Sequence, residues 1–214
     1  MPAPSSRPRP RPHHRAEPRG SVRIIGGRLK RSRLAVADAP GLRPTPDRVR
    51  ETLFNWLGQA LTGWRCLDLF AGSGALGLEA ASRGAARVDL VERDPRLAAA
   101  LTQACARLQV DGARVHARDA LAFAAQAAPA GYDLVFVDPP YADALQRAAL
   151  AHAARLLDDG GLAYVEAPGA DELARCIDPQ LWDLQRSSHA GDVHYALLRR
   201  RPRAPAADAD AASH

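Results

Sequence analysis

The stretch LDLFAGSGALG, residues 67–77, decides the fold. The apolar residues at its start are typical of a buried strand, and the residues at its end are typical of a helix. Three glycines follow the strand: Gly72, Gly74 and Gly77. Glycine lets the backbone turn tightly and approach a ligand closely. The order strand, G-x-G-x-x-G loop and helix therefore predicts the first βα unit of a nucleotide-binding α/β fold.

Further strands and helices alternate after this unit. The first strand covers residues 65–70, and we expect others in residues 87–94, 113–119 and 132–138 and within GGLAYVEAP, residues 160–168. The helix after the fourth strand is predicted from Asp143 to Leu157, and a closing antiparallel pair turns near residues 190–192. Repeated βα units predict a mainly parallel sheet with helices on both faces. Ligands then bind beyond the carboxyl ends of the strands.

A β-hairpin and a helix are predicted upstream of the first βα unit. Apolar patches at residues 22–25 and 34–36 flank a basic, glycine-containing stretch, which favours a hairpin that carries its arginines outward. In the helix that follows, Thr45 or Asp47 is the expected cap, with Pro46 near the first turn. The expected apolar face is Val49, Leu53, Phe54, Trp56 and Leu57, with Arg48, Arg50 and Glu51 pointing elsewhere.

The length of 214 residues indicates one domain. We place the folded domain at residues 21–200, divided into an N-terminal hairpin and helix (21–63) and a core (64–200). The Arg/Pro-rich residues 1–20 and the end, residues 201–214, are expected to be disordered. Three scattered cysteines outside metal-ligand spacing, the lack of an apolar run long enough for a bilayer and the lack of a secretory signal favour a cytoplasmic protein without a metal site. A monomer is the default expectation.

The charge of the chain is concentrated at its N-terminus. Residues 1–33 contain ten Lys or Arg and one acid, so this segment carries +9 although the whole chain carries +5. A basic arm of this kind suits a polyanion, because each neutralised phosphate releases counterions. A codon bias towards arginine is the alternative, but it leaves the shortage of acids unexplained. Nucleic-acid contact is the favoured interpretation.

The acids around the glycine loop favour S-adenosylmethionine as the nucleotide ligand. Glu92 lies twenty residues after Gly72, at the end of the second predicted strand. A carboxylate at this position can accept hydrogen bonds from both ribose hydroxyls. Asp68, just before the loop, repels the pyrophosphate of NAD but attracts an ammonium group. Asp119 either accepts a hydrogen bond from the adenine amino group or is a solvated acid at the end of a strand. The predicted cofactor site comprises Asp68, Phe70, Ala71, Gly72, Ser73, Gly74, Glu92, Asp119 and Ala120.

The tetrapeptide DPPY ends the fourth predicted strand at Asp138–Pro139–Pro140–Tyr141. Methyl transfer to an exocyclic amine needs acceptors for the amine hydrogens, and the carboxylate of Asp138 and the backbone carbonyl of Pro139 can supply them. Tyr141 can stack on a flat base. Asp138 can also receive the proton after transfer. We therefore predict that these four residues form a catalytic site for a planar amine.

The ordered blocks RIIGG, GLRPTPDRVRETLFNWL, CLDLFAGSGALGLEA and VFVDPPY resemble the RsmD family of bacterial 16S rRNA (guanine(966)-N(2))-methyltransferases. The resemblance spans about residues 22–200. It implies a class I methyltransferase fold, with a seven-stranded sheet whose last strand is antiparallel, a cytoplasmic enzyme, and the small ribosomal subunit as substrate. Residues 138–141 match its catalytic tetrapeptide. The basic positions interpreted as RNA contacts are Arg23, Arg28, Lys30, Arg31, Arg33, Arg43, Arg48 and Arg50.

Three other functions are compatible with parts of this pattern. A DNA adenine-N6 methyltransferase shares the DPPY chemistry, but the chain has no large insertion for target recognition. A non-catalytic nucleotide- or RNA-binding module leaves residues 138–141 unexplained. An NAD-dependent oxidoreductase is opposed by Asp68.

Overall fold

A computed structural model of the chain describes residues 20–36 and 45–202. Seven strands form one sheet in the order β5-β4-β3-β6-β7-β9-β8. Strands β3 to β7 are parallel, and β9 is antiparallel to both of its neighbours. The strands of this sheet are β3 Arg65–Asp68, β4 Arg87–Glu92, β5 Ala113–Ala117, β6 Tyr132–Val137, β7 Leu157–Ala167, β8 Trp182–Ala190 and β9 Val193–Arg200. The prediction of a mainly parallel seven-stranded sheet with an antiparallel last strand is confirmed.

In the described part of the chain, six helices cover the two faces of the sheet. Apolar side chains of the first three pack in a cluster with Cys66, Leu90 and Phe136, which we call the front face. Apolar side chains of the other three pack on the opposite, back face. The helices are α1 Asp47–Trp56, α2 Ala75–Ser82, α3 Pro95–Arg107, α4 Ala120–Gln126, α5 Gln146–Leu156 and α6 Ala170–Cys176.

The N-terminal hairpin packs on the front face. Its strands, β1 Gly20–Arg23 and β2 Arg33–Val36, pair antiparallel as predicted. Ile24, Leu29 and Leu34 are buried in the same apolar cluster as α1, α2 and α3. The hairpin is therefore part of the domain's core and not an appendage.

Helix boundaries differ from the predictions in three places. Thr45 and Asp47 do not cap α1, because the N-cap is Pro46 and its side chain has no donor or acceptor. Helix α5 begins at Gln146 and not near Asp143, because residues 141–143 form a short 3-10 turn. Helix α6 was not predicted, since it is only seven residues long and three of its side chains are charged.

The predicted strand ends extend one or two residues too far. The residues just beyond β4, β5 and β6 were assigned to strands but lie outside them. They continue the chain past the carboxyl edge of the sheet, where the candidate site residues lie. All three cysteines are buried and free. No helix in the described residues is long and apolar enough to cross a membrane.

Candidate active site at the carboxyl edge of the sheet

Four acidic side chains lie at or just beyond the carboxyl ends of neighbouring strands. Asp68 ends β3, Glu92 ends β4, Asp138 follows β6, and Glu166 is near the end of β7. Side chains alternate between the two faces of a strand. Each acid is two residues from a side chain buried on the front face, so all four share that face. The parallel sheet thereby gathers carboxyl groups that are distant in the sequence.

The glycine loop between β3 and α2 has the backbone geometry that its sequence predicted. Gly72 and Gly74 have φ angles of 50° and 79°, in the left-handed region that favours glycine. A Cβ on Gly74 would lie 2.4 Å from Leu101 Cδ1. A Cβ on Gly77 would lie 2.3 Å from Leu90 Cδ2, so Gly77 permits close packing of α2 on the sheet. The first two glycines shape the turn, and the third seats the helix.

Asp68 is a buried acceptor that is only half satisfied. Its Oδ2 accepts a hydrogen bond from the Gly77 amide at 3.0 Å, whereas its buried Oδ1 has no partner. Burial raises the pKa of this carboxyl to about 7, opposed by the amides of Gly77 and Phe70 and reinforced by Glu92. An unsatisfied carboxylate oxygen suits a cationic donor such as an ammonium group.

Backbone amides hold Glu92 in a fixed position. Its Oε2 accepts a hydrogen bond from the Gly72 amide at 2.9 Å, and its Oε1 accepts one from the Asp94 amide at 2.8 Å. The carboxylate is thereby joined to the glycine loop. Each oxygen keeps a second lone pair for a ribose hydroxyl.

The remaining residues of the predicted cofactor site follow the same edge. Phe70 and Ser73 are half-buried, and the Ala71 amide donates to the Val91 carbonyl at 2.9 Å. Asp119 is exposed, and its Oδ1 caps α4 by accepting from the Ala122 amide at 2.8 Å.

The predicted catalytic tetrapeptide begins where β6 ends. Asp138 keeps some solvent exposure, and the Thr45 hydroxyl donates to its Oδ2 at 3.2 Å. Burial, followed by the nearby acids Glu166 and Asp68, raises the pKa of Asp138 well above its usual range, and the Thr45 hydrogen bond opposes that rise. The Tyr141 side chain is among the few large apolar ones that are exposed, at 39%. An acceptor and an exposed ring therefore lie within four residues of each other after β6.

Glu166 is a candidate site residue that was not predicted from the sequence. It is buried, and the Tyr164 hydroxyl donates to its Oε1 at 2.7 Å. Burial raises its pKa, while hydrogen bonds from Tyr164 and Thr45 oppose the rise. The signal was present in YVEAP, where an acid ends an apolar run as Asp68 and Asp138 do.

The candidate RNA-contacting residues differ in accessibility. Those in the hairpin and on the outer side of α1 are exposed: Arg23, Arg28, Lys30, Arg31, Arg33 and Arg48. Arg43 and the cations of residues 1–19 lie outside the described residues.

The prediction that Arg50 points away from the apolar face of α1 is wrong, because its side chain is 0% exposed. It donates to the Arg23 carbonyl at 2.9 Å and to Asp47 Oδ1 at 2.6 Å, and it lies 3.5 Å from Glu79. The N–H groups of Arg50 thus hold the hairpin and the start of α1 together. A guanidinium buried in this way is not available for RNA phosphates.

The contacts of Glu79 explain why the hairpin contains the sequence RIIGG, residues 23–27. Its carboxylate accepts hydrogen bonds from the Ile25 and Gly26 amides, each at 2.8 Å, and forms an ion pair with Arg83. Gly27 has a φ of 70°, and a Cβ there would lie 1.9 Å from the Ser82 carbonyl oxygen. The two glycines let the backbone of the hairpin dock directly on α2.

Comparisons with known proteins agree with this geometry. The family described as conserved hypothetical protein 95 matches residues 22–199. The ribosomal RNA small subunit methyltransferase D of Escherichia coli K12 is 44% identical over 196 residues, 89% of this chain and 94% of that protein. The Haemophilus influenzae protein of the same name is 39% identical over 85% of this chain and 95% of its own length.

Solved structures share the fold. The structure of yhhF from Escherichia coli has a TM-score of 0.75 and 42% identity, and the match covers 86% of this chain and all of that one. An S-adenosylmethionine-dependent O-methyltransferase from Thermotoga maritima matches the fold with a TM-score of 0.59 at 14% identity. The match of a family across almost the whole described domain and the identity to its members show that this chain belongs to the RsmD family and has a class I methyltransferase fold.

Proposed function

We propose that the protein transfers a methyl group from S-adenosylmethionine to the exocyclic N2 of a guanine, guanine 966, in the 16S rRNA of the small ribosomal subunit. The observation that carries the proposal is the position of Asp138. This carboxyl follows β6, which pairs with the strand that leads into the glycine loop, and it precedes the exposed ring of Tyr141 by three residues. Membership of the RsmD family supports rRNA as the substrate class, because its curated relatives are named ribosomal RNA small subunit methyltransferases.

The residues at the carboxyl edge fit the cofactor. The unpartnered Oδ1 of Asp68 suits the ammonium of the amino-acid end, and the glycine loop leaves room for close backbone approach. Glu92 would accept the ribose hydroxyls, and Asp119 with Ala120 would border the adenine. When bound, S-adenosylmethionine supplies an electrophilic methyl group on a positively charged sulfur.

Asp138 and its neighbours would prepare the guanine amine. The Asp138 carboxylate and the Pro139 carbonyl would accept the two N–H hydrogens, which directs the nitrogen lone pair away from them and stabilises the positive charge that develops on nitrogen. Tyr141 would stack on the base, an interaction worth about 1–3 kcal/mol. The proton that nitrogen releases would pass to Asp138. The target base would be extruded into this site, as is usual for enzymes that modify bases.

The exposed cations of the hairpin would contact RNA phosphates. Arg31 and Arg33 are exposed, as is Arg48 at the start of α1, on the same part of the molecule. Their charges would orient the RNA without reading its sequence. We propose that the enzyme acts as a cytoplasmic monomer.

Transfer of labelled methyl groups tests the proposal. The substrates are small ribosomal subunits from a strain that lacks its own enzyme, with DNA and free tRNA as controls. We expect label in the 16S rRNA of the subunits and none in DNA or tRNA. Label in DNA adenine without label in rRNA would contradict the proposal and favour the DNA methyltransferase alternative.

A further inference from the structure

An ion pair joins two loops at the carboxyl edge of the sheet. Arg93 Nη1, in the loop after β4, lies 3.2 Å from Asp143 Oδ2, in the turn after β6. Strands β4 and β6 are the two neighbours of β3 in the sheet. Neighbouring strands are about 4.8 Å apart, so the ends of β4 and β6 are about 10 Å apart and a long side chain is needed to connect them. The glycine loop begins between the two connected loops, where β3 ends.

The backbone on both sides of Arg93 is held in place. Its neighbour Glu92 accepts hydrogen bonds from the Gly72 and Asp94 amides. Asp94 in turn caps α3, where its Oδ1 accepts from the Arg96 amide at 2.7 Å. The side chain of Arg93 therefore extends from a backbone that is fixed relative to the candidate ribose-binding acid.

The turn after β6 has few contacts of its own. We call residues 139–144 the acceptor turn, and all but its first residue are exposed. Within the turn, the Asp143 amide donates to the Pro140 carbonyl at 3.1 Å and the Ala144 amide donates to the Tyr141 carbonyl at 3.3 Å. Among the described residues, the ion pair of Asp143 is the one hydrogen bond or ion pair through a side chain that joins the acceptor turn to another element.

The backbone at Ala144 is strained. Its φ of 48° lies in the left-handed region, which is unfavourable for a residue with a Cβ. A conformation of this kind persists where the surrounding structure holds it. The ion pair of Asp143, one residue earlier, therefore opposes relaxation of the acceptor turn.

The acceptor turn carries a ring that lies near two acids of the candidate site. Partial burial raises the pKa of the Tyr141 phenol, and the negative charges of Glu166 and Asp138 raise it further. The hydroxyl therefore lies near both acids, while the side chain remains 39% exposed and available to a base. A movement of the turn would displace this ring relative to Asp138.

We propose that Arg93 and Asp143 are positioning residues whose ion pair holds the acceptor turn against the loop of Glu92, so that the target base and the methyl donor meet in a fixed geometry. The identities of the base and of the donor rest on the proposed function. Both residues act through Tyr141 and not on the reacting atoms. Transfer between two bound groups depends steeply on their alignment, whereas an exposed ion pair contributes little to stability. Loss of the pair therefore affects turnover more than folding.

A double-mutant cycle of neutral variants tests the ion pair. Arg93→Gln and Asp143→Asn should each lower the single-turnover rate by about fivefold, the upper end of the range for an exposed pair. The double variant should lose no more than either, because both single changes break the same contact. Cofactor affinity should stay within about twofold and Tm within about 2 °C of the wild type. Arg96→Gln is the control and should keep the wild-type rate, since Arg96 is exposed and forms no ion pair in the described part of the chain.

Four results of the cycle would overturn the proposal. The first is wild-type turnover in both single variants, and the second is a pair of losses that multiply in the double variant. The third is a loss in only one single variant; a loss in Arg93→Gln alone would indicate a direct contact of Arg93 with RNA. The fourth is a loss of cofactor affinity in place of turnover.

NMR of the free enzyme tests the same ion pair without activity. Protein labelled with 3-fluorotyrosine reports on Tyr141, one of 4 tyrosines, whose ¹⁹F resonance is assigned with Tyr141→Phe. Arg93→Gln and Asp143→Asn should move this resonance to the same new position and leave the others in place. Raising the salt concentration from about 0.1 M to about 1 M should move the wild-type resonance towards that position, because the screening length falls from about 10 Å to about 3 Å. An unmoved resonance in the two variants would contradict the proposal even if the enzyme methylates rRNA, whereas a failure of rRNA methylation would leave this result valid.

Discussion

Two clusters of buried charge lie on the front face of the sheet, and they differ in how well they are paired. Under the hairpin, Glu79 accepts from two backbone amides and lies between Arg50 and Arg83. At the carboxyl edge, Asp68 and Asp138 have no ion-pair partner among the described residues. The paired cluster joins parts of the domain, whereas the unpaired acids are the ones that suit a cationic ligand.

The presence or absence of an ion-pair partner distinguishes charges that stabilise the fold from those that are candidates for ligand binding. A buried ion that is already satisfied gains nothing from a ligand, and removing its partner leaves a costly unpaired charge. A buried carboxylate without a cation is costly in the free protein, and a cationic ligand offsets that cost on binding. Substitutions in the first cluster should therefore affect folding, and those in the second should affect ligand binding and turnover.

The largest effect is expected for Asp138→Ala. Loss of the acceptor for the amine hydrogen and the released proton should lower kcat by about 10²–10⁴-fold, while cofactor affinity remains within a few-fold of the wild type. Single-turnover methylation of small subunits and titration with cofactor measure the two quantities. Asp171→Asn, an exposed acid at the start of α6, is the control. Unchanged turnover in Asp138→Ala would remove its catalytic role.

Glu79→Ala tests the paired cluster. It removes the carboxylate paired with Arg83 and one of the two paired with Arg50, and it unties the backbone of residues 25–26, so we expect the free energy of unfolding to fall by about 3–5 kcal/mol. Glu172→Ala is the matched control, because Glu172 forms an ion pair with Arg175 on the surface of α6. Its removal should cost about 0–1 kcal/mol. Urea unfolding measures both, and similar small losses would show that the buried pairing is not important for stability.

Asp68→Asn should weaken cofactor binding by about 10–100-fold, because a hydrogen bond to a charged group contributes about 1.5–3 kcal/mol. Burial raises the pKa of Asp68 to about 7, so the carboxylate that pairs with an ammonium is lost as pH falls through 7. Wild-type affinity should therefore fall between pH 7.5 and pH 5.5, more steeply than that of Asp68→Asn. Calorimetry over this range compares the two, and parallel pH profiles would contradict the role of Asp68.

The smallest effects are expected on the proposed RNA-contacting surface of the hairpin. Arg31→Ala should weaken RNA binding and reduce the slope of log K against log salt by about 0.7–0.9, the value for one phosphate contact. Filter binding at several salt concentrations measures the slope. Arg186→Ala, an exposed arginine on β8 at the far edge of the sheet, is the control. Equal slopes for the two variants would remove the hairpin from the RNA interface.

The sequence predicted the elements that depend on local pattern. The apolar runs before Asp68 and Asp138 and the glycines at residues 72 and 74 were sufficient to place two strands, the loop and the acids at one edge. The predictions that were wrong concern residues whose roles depend on tertiary contacts. Thr45 was expected to cap a helix, but its hydroxyl donates to Asp138, which is 93 residues away.

Arg50 shows why the other misses occurred. Arg50 was predicted to lie on the polar side of α1 because it is charged. Its spacing of three residues from Leu53 and four from Phe54 puts it on the same face as these apolar residues. Its burial depends on polar partners, and two of them, the Arg23 carbonyl and Glu79, lie outside α1. Glu166 could have been predicted from the rule that was applied to Asp68 and Asp138, since it is also an acid at the carboxyl end of a buried strand.

The most direct test of the account is the identity of the methylated nucleoside. Small subunits that lack the modification are incubated with the enzyme and labelled cofactor, and the nucleosides of the 16S rRNA are then separated and identified by mass spectrometry. The account predicts N2-methylguanosine at a single site with the wild-type enzyme and almost none with Asp138→Ala. Methylated adenine, or equal N2-methylguanosine with both proteins, would contradict it.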